Sequence, residues 1–208
     1  MSSNTNRDDG RESYYSKLKS ARASNYDINR ALAEIFDNSI DAKSNIIDIK
    51  IRKDTIDNLI NKIQINDNGT GINNLKITTT HGYIRDRNDD EGGEFGHGYK
   101  LALINLSNKA TYITKCKQHE KIQKAFWDQL SMAEMDTFLP ECSLMSEEDF
   151  NSLNYIYETG TFITLEDLIQ NTKSSFNINK LIFYIIKRYH KFIINGLTFN
   201  IEVKSMEN

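Results

Sequence analysis

The chain has 208 residues, of which 38% are hydrophobic and 26% charged, and its formal net charge at pH 7 is -3. This length and balance predict one large globular domain with its own core, and the slightly negative charge argues against a surface that is basic throughout and coats nucleic acid. No apolar run reaches the length of a membrane span, and the polar N-terminus does not resemble a secretion signal, so we expect a cytoplasmic protein, or a nuclear one in a eukaryote.

The first 24 residues are predicted to precede the main domain. Residues 1–12 are polar and lack periodicity, which is typical of a mobile arm, and a short helix is predicted from Tyr14 to Leu18. The domain itself is then predicted over residues 25–208, and its first helix begins after Asp27, a residue type that caps helix N-termini.

That helix carries an apolar stripe beside a polar one. Its apolar residues recur at spacings of three and four, which marks one face of a helix. They are Ile28, Leu32, Ile35, Phe36 and Ile40. Glu34, Asn38 and Asp41 follow the same spacing and therefore share a neighbouring face. Taken alone, this polar face is explained as well by exposure to solvent as by a functional site.

Two strands are predicted next, over Ile46–Ile51 and Ile60–Ile65. As a hairpin they would bring Asp67 to the edge of the sheet, where it opens the turn Asp-Asn-Gly-Thr-Gly-Ile. Alone, this turn would be a plain hairpin turn. The polar, charged stretch at 73–92 has the character of a lid, because lids come from weakly stabilised segments.

The glycine-rich string Gly-Gly-Glu-Phe-Gly-His-Gly-Tyr-Lys occupies residues 92–100 and leads into a helix predicted over Leu101–Ser107. Backbone N–H groups at such a helix N-terminus can bind anions. The elements predicted after it are strands over Thr111–Thr114 and from Ala125 to Leu130, a helix starting near Ser146, a strand opening on Gly160-Thr161, a helix over Asn179–Ile194 and a last strand over Leu197–Val203.

Four of these motifs, in this order, resemble the GHKL superfamily of ATPases, which includes gyrase-type topoisomerases, HtpG-type chaperones, histidine kinases, and MutL and MORC proteins. The motifs are the helix around Glu34, the turn at Asp67, the string at 92–100 and the Thr159-Gly-Thr strand. The resemblance covers most of the chain. It implies a two-layer α/β sandwich, with a mixed, mostly antiparallel sheet and helices on one face.

The resemblance implies ATP and Mg²⁺ as ligands. Glu34 would be the general base for the attacking water, and Asn38, one helical turn later, would bind Mg²⁺. Mg²⁺ takes oxygen ligands and few protein groups, and a base must lie close to the γ-phosphate that the metal bridges. Asp41 would support this pair from beside it.

The other three motifs would bind the rest of the nucleotide. Asp67 would accept a hydrogen bond from the adenine amino group, supported by Thr161. Gly69 and Gly71 would let the backbone approach the base, with Ile72 next to them. The third motif would form the phosphate cradle through Gly93, Phe95, Gly96, His97, Gly98, Tyr99 and Lys100. For Lys100, two interpretations stay open: a phosphate contact or an exposed helix lysine.

The activity implied is slow, Mg²⁺-dependent ATP hydrolysis that closes the lid and joins two copies. The short lid and the glycine string look closer to MORC or MutL proteins than to chaperones, which suggests the ATPase module of a DNA-associated or defence machine. DNA or protein partners would then bind through regions outside this chain. In the relatives a second domain usually supplies a lysine to the γ-phosphate, and that lysine would also come from outside this chain. A non-hydrolysing ATP-binding switch and an HtpG-like chaperone ATPase for protein clients remain alternatives.

Overall fold

The computed structural model describes residues 13–24, 26–79, 98–153 and 157–205, and these contain eight helices and seven strands. The helices are α1 (Tyr14–Ala23), α2 (Ile28–Asp41), α3 (Leu75–Thr79), α4 (Gly98–Leu106), α5 (Gln129–Glu134), α6 (Glu147–Ser152), α7 (Gln170–Ser175) and α8 (Ile178–Ile194). The strands are β1 (Ile46–Lys53), β2 (Ile60–Asp67), β3 (Ser107–Cys116), β4 (His119–Asp128), β5 (Glu141–Met145), β6 (Gly160–Leu168) and β7 (Thr198–Ser205).

The seven strands form one sheet in the order β5-β4-β3-β6-β2-β1-β7. β1 pairs with β7 in parallel, whereas the other neighbours pair antiparallel. The predicted α/β fold with a mixed, mostly antiparallel sheet is therefore confirmed, as is the β1–β2 hairpin. Asp67, however, ends an interior strand rather than lying on an edge strand, because β6 and β1 flank β2.

The main core lies between one face of the sheet and the long helices. Alternate residues of β1 and β2 point to this face, and the apolar stripes of α2 and α8 cover it. Its fully buried members include Leu32, Ile35, Phe36, Ile47, Ile49, Ile51, Ile63, Ile65, Leu181 and Tyr189. Each side chain of this size stabilises the fold by roughly 1.5–3 kcal/mol relative to an exposed position.

A second, smaller cluster lies on the opposite face of the sheet. Phe150 of α6 packs there against Ile113, Ile122 and Phe162. The remainder of that face is mainly polar, and ion pairs such as Lys62–Glu166, 2.8 Å between Nζ and Oε1, cross it. The candidate site residues discussed below lie on the other face, which the helices cover, or at the ends of its strands.

Helix α1 extends the short helix predicted from Tyr14 and packs on the main body. Its Tyr14 side chain is buried, and the Tyr14 hydroxyl donates a hydrogen bond to Gln129 of α5. Arg22 Nε donates to the backbone oxygen of Ile104 in α4 at 3.0 Å. The arm predicted over residues 1–12 lies outside the described residues, and no described helix is long and apolar enough to span a membrane.

Two predicted boundaries differ from the structure. Helix α4 already includes Gly98, three residues before the predicted start, and Gly98 is the first residue that the structure describes there. Leu130, predicted in a strand, lies in α5, because the Asp128 side chain accepts a hydrogen bond from the Ser131 N–H at 3.1 Å and so caps a new helix there.

Candidate functional site

Asp67 is a buried carboxylate at the end of β2, with 3% of its surface exposed. Three donors from different parts of the chain reach it. Oδ2 accepts from the Ser39 hydroxyl of α2 at 3.1 Å, and Oδ1 accepts from the N–H groups of Gly69 at 2.9 Å and Thr161 at 3.3 Å. The first, second and fourth motifs thus meet at one side chain.

Burial is the main influence on the ionisation of Asp67. It raises the pKa of this carboxyl from 3.8 to about 6, while the hydrogen bonds from Gly69, Ser39 and Thr161 oppose the increase. At neutral pH the group is therefore mostly an ionised acceptor. A perturbed, buried carboxylate at the end of an interior strand is typical of a ligand site.

The two glycines after Asp67 lie where a side chain would not fit. A Cβ on Gly69 would lie 2.8 Å from the backbone oxygen of Ala42, at the end of α2. A Cβ on Gly71 would lie 2.3 Å from the backbone oxygen of Lys115, and Gly71 has a φ of +73°. The turn is therefore pressed between α2 and β3, and glycine is required at both positions.

Ile72 ends this turn and is anchored to the middle of the sheet. Its N–H donates to Oγ1 of Thr114 at 2.8 Å, and the Thr114 hydroxyl donates to the backbone oxygen of Gly160 at 3.0 Å. Thr114 on β3 also pairs with Thr161 on β6. One buried hydroxyl therefore links the Asp67 turn to the Gly-Thr strand.

Glu34 lies on α2, with its carboxylate between Tyr26 and the first turn of α4. Oε1 accepts from the Tyr26 hydroxyl at 3.5 Å. A Cβ on Gly98 would lie 2.0 Å from Oε2, so a larger residue at this position would have to displace the Glu34 carboxylate. The first motif is therefore in direct contact with the third, at the first described residue of α4.

The family model that describes histidine kinase-, DNA gyrase B- and HSP90-like ATPases matches residues 26–161. This match covers well over half of the chain and includes all four motifs. The chain belongs to this ATPase family. It is thus an ATP-binding module of the GHKL type, the group that the sequence motifs indicated. A search of curated proteins returned no match.

Members of this ATPase family generally bind ATP with Mg²⁺, and Asn38 fits the part of a magnesium ligand. Asn38 is exposed on α2, and its amide nitrogen donates to the backbone oxygen of Glu34 at 2.7 Å, which leaves the side-chain oxygen on the outer side. Among the described residues, no group of three or more His, Cys, Asp or Glu could hold a metal. One amide oxygen plus phosphate oxygens is the kind of sparse ligand set that Mg²⁺ accepts.

Asp41 is the last residue of α2 and is partly buried. Ala42 is the C-cap of the helix, and its backbone oxygen accepts from the Thr70 N–H at 2.9 Å. Asp41 is therefore close to the turn that follows Asp67, beside the polar face that carries Asn38.

Most of the predicted phosphate cradle, Gly93, Phe95, Gly96 and His97, lies outside the described residues, as does the predicted lid beyond α3. The Tyr99 side chain, next to Gly98, makes its contacts away from Glu34. The Tyr99 hydroxyl donates to the backbone oxygen of Thr78 at 2.9 Å, and its ring packs with Tyr112 and Trp127.

Lys100 follows Gly98 by two residues, about 200° around the helix. Its ammonium lies 5.6 Å from the centre of the Tyr99 ring. Burial, and then the charge of Lys17 in α1, lower the pKa of Lys100 to about 8. Lys100 is half-buried, and its role in binding phosphate stays a prediction.

Two residues near Asp67 were not singled out from the sequence. Ser39 could have been found, because it is a polar residue on the apolar stripe of α2, one turn after Ile35. Tyr112 on β3 had no such signal: its hydroxyl is buried and, in the described part of the chain, has no hydrogen-bond partner. Burial is the main cause of the raised Tyr112 pKa, and Tyr99 and the charge of Asp67 add to it. A buried donor without a partner among the described residues suits a ligand that brings an acceptor.

Proposed function

We propose that this chain binds ATP with Mg²⁺ and hydrolyses it slowly, as the ATPase module of a MORC- or MutL-like machine. The observation that carries the proposal is the contact between the Glu34 carboxylate and Gly98 at the start of α4. The N-terminus of a helix is where phosphate groups bind, because its free N–H groups and dipole attract anions. A carboxylate against that point is suited to activate water near a terminal phosphate.

The adenine and the phosphates of ATP would then bind at opposite ends of the site, adenine at Asp67 and the phosphates near Glu34 and Asn38. Asp67, mostly ionised at neutral pH, would accept a hydrogen bond from the adenine amino group, and the close turn at Gly69 and Gly71 would admit the base. Asn38 would hold Mg²⁺, which when bound would neutralise charge on the phosphates. Glu34 would orient the attacking water and take its proton.

We further propose that residues 25–208 act as one ATPase domain, whose segment 73–92 closes over the nucleotide when two copies associate. Lid closure excludes water from the reacting groups, and association linked to nucleotide would make the domain a gated clamp. Support for the MORC- or MutL-like assignment comes from the glycine string 92–100 and the short lid. Such a role places the protein in the cytoplasm or nucleus, with DNA or protein partners bound outside this chain.

Substitution of the two carboxylates tests this function. We expect Asp67→Asn to abolish ATP binding in calorimetry, because an amide presents a donor where adenine needs an acceptor. We expect Glu34→Gln to retain binding and lose turnover in a steady-state phosphate-release assay. Asp37→Asn is the matched control on the same helix, since Asp37 bonds Arg188 and Tyr189 on α8 and takes no part in the site.

The outcomes separate the parts of the proposal. Tight ATP binding by Asp67→Asn would refute the adenine assignment, and unchanged turnover in Glu34→Gln would refute the base. Turnover per molecule that rises with protein concentration is expected if association accompanies catalysis. Binding without any turnover by the unmodified chain would instead identify a non-hydrolysing switch.

A further inference from the structure

Helix α8 is apolar on two sides. Leu181, Ile185 and Tyr189 face the core and are buried. A second group of large apolar side chains is exposed to solvent. It comprises Ile182 (38% exposed), Phe183 (69%), Ile186 (57%), Phe192 (48%), Ile193 (37%) and Ile194 (80%). A helix that only covers a sheet needs one apolar face, so the second face requires another explanation.

Strand β7, which follows α8, has an open edge. Among the described strands it has a neighbour on one side only, β1, with which it pairs over eight consecutive residues without a register shift. It contains neither proline nor glycine. Natural proteins usually interrupt or cover such edges, because the unpaired N–H and C=O groups recruit other strands.

The exposed apolar side chains of α8 and the unpaired edge of β7 lie next to each other and form one continuous surface. The Tyr189 and Phe199 rings pack at 5.4 Å, so α8 lies over β7. On its inner side α8 contacts α2 through Arg188 and Asp37, whose Nη2 and Oδ2 are 2.7 Å apart. By helical spacing Ile182, Ile186 and Ile193 point away from α2, over the edge of β7. Helix and strand are both about 25 Å long.

We propose that this surface, which we call the α8–β7 wall, binds a second copy of the chain, with the two β7 strands paired antiparallel. An open strand edge needs another strand, and lipid cannot satisfy its backbone groups. An apolar helix beside a strand edge is complementary to the same pair of elements rotated by a two-fold axis. Such an axis through the middle of the wall also brings Ile182 close to Ile193 of the second copy.

The charges of α8 are compatible with this self-association. Its exposed lysines, Lys180, Lys187 and Lys191, are seven and four residues apart and therefore form their own stripe. That stripe lies about 140° around the helix from the row of Ile182, Ile186 and Ile193, so the lysines of two copies are not pressed together. Glu202 and Lys204 of β7 form an ion pair within the chain and leave no net charge at this part of the edge.

The test is the mass of the full chain in solution, measured without nucleotide over a wide range of protein concentrations by sedimentation equilibrium. We expect a monomer–dimer equilibrium for the unmodified chain and a shift to monomer in Ile186→Lys. Leu144→Lys is the matched control: Leu144 is 63% exposed on β5, at the opposite edge of the sheet, and its substitution should leave the dimer intact. Asp67→Asn should also dimerise normally, because this contact does not depend on ATP.

Hydrogen exchange on β7 provides a measurement that does not rely on a variant. In the dimer, the outward amides of Thr198–Ser205 should become protected as concentration rises. An unmodified chain that stays monomeric, or a dimer that Ile186→Lys leaves unchanged, overturns the proposal. Binding to anionic vesicles that Ile186→Lys removes would also overturn it, in favour of a membrane surface.

Discussion

At the scale of single residues, the burial of the Asp67 carboxylate lowers the stability of the fold and points to a binding site. A buried carboxylate is unfavourable unless it is hydrogen-bonded, and three donors surround this one. They do not cancel the cost, since the pKa of Asp67 remains raised to about 6. A residue selected only for stability would be apolar here, so the carboxylate is consistent with a ligand that uses it.

The raised pKa of Asp67 predicts how stability depends on pH. Between 3.8 and about 6 the folded chain binds more protons at this group than the unfolded chain does, so the free energy of unfolding falls as pH rises through that window. A shift of this size corresponds to roughly 3 kcal/mol. Asp67→Asn lacks the group, so its stability relative to the unmodified chain should increase from acid to neutral pH.

Denaturant unfolding of both proteins below and above this window measures the effect. The change with pH in the difference between the two proteins is the diagnostic quantity, because any pH-independent cost of the substitution cancels. A difference that stays constant with pH would show that Asp67 keeps an ordinary pKa in the folded state.

Gly98 is the second residue with a defined steric role. Its φ is not in the left-handed region, so backbone freedom does not explain the glycine. The explanation is the space that Glu34 occupies, because Oε2 lies where a Cβ would be. A glycine and a carboxylate from motifs 64 residues apart are therefore in contact, and a larger residue at position 98 would displace the carboxylate.

At the scale of elements, the turn between α2 and β1 depends on one side chain from the end of β2. The Asn68 Oδ1 accepts from the N–H groups of Asn45 and Ile46, both at 3.0 Å, and from the Ser44 hydroxyl at 2.9 Å. This side chain fixes the end of α2 relative to the strand that carries Asp67. The position of the site thus depends on a polar residue outside it.

We expect Asn68→Ala to lower the free energy of unfolding by roughly 1–3 kcal/mol, because three donors lose their acceptor. Asn68→Asp is the matched variant, since it keeps an oxygen acceptor at the same place, while its second oxygen replaces the amide donor to Asn45 and the side chain gains a negative charge. Chemical denaturation should therefore rank Asn68→Asp between the unmodified chain and Asn68→Ala. Equal stability of all three would contradict the anchoring role.

At the scale of the whole molecule, nucleotide binding should stabilise the fold, because the site is assembled from α2, β2, β3, β6 and α4. At an ATP concentration 100 times the dissociation constant, the expected gain in the free energy of unfolding is about 2.7 kcal/mol. Thermal unfolding with and without Mg-ATP measures this gain. Asp67→Asn should show none, and an equal gain in that variant would place ATP elsewhere.

Several features could be predicted from the amino-acid sequence itself. The apolar stripe of α2 and the alternation of β1 and β2 are local patterns, and local periodicity determines which face of an element is buried. The four motifs, with their order and spacing, identified the ATPase superfamily and the fold. The role of each site residue remains a proposal for the experiments above.

Other features depended on tertiary structure. The contacts Ser39–Asp67, Glu34–Gly98 and Thr114–Ile72 join residues that are distant along the chain, and no local pattern encodes such pairs. The same holds for Lys100 and Lys17 of α1, which are close enough for the charge of Lys17 to lower the pKa of Lys100. Periodicity specifies a buried face, whereas strand order and helix packing decide what that face meets.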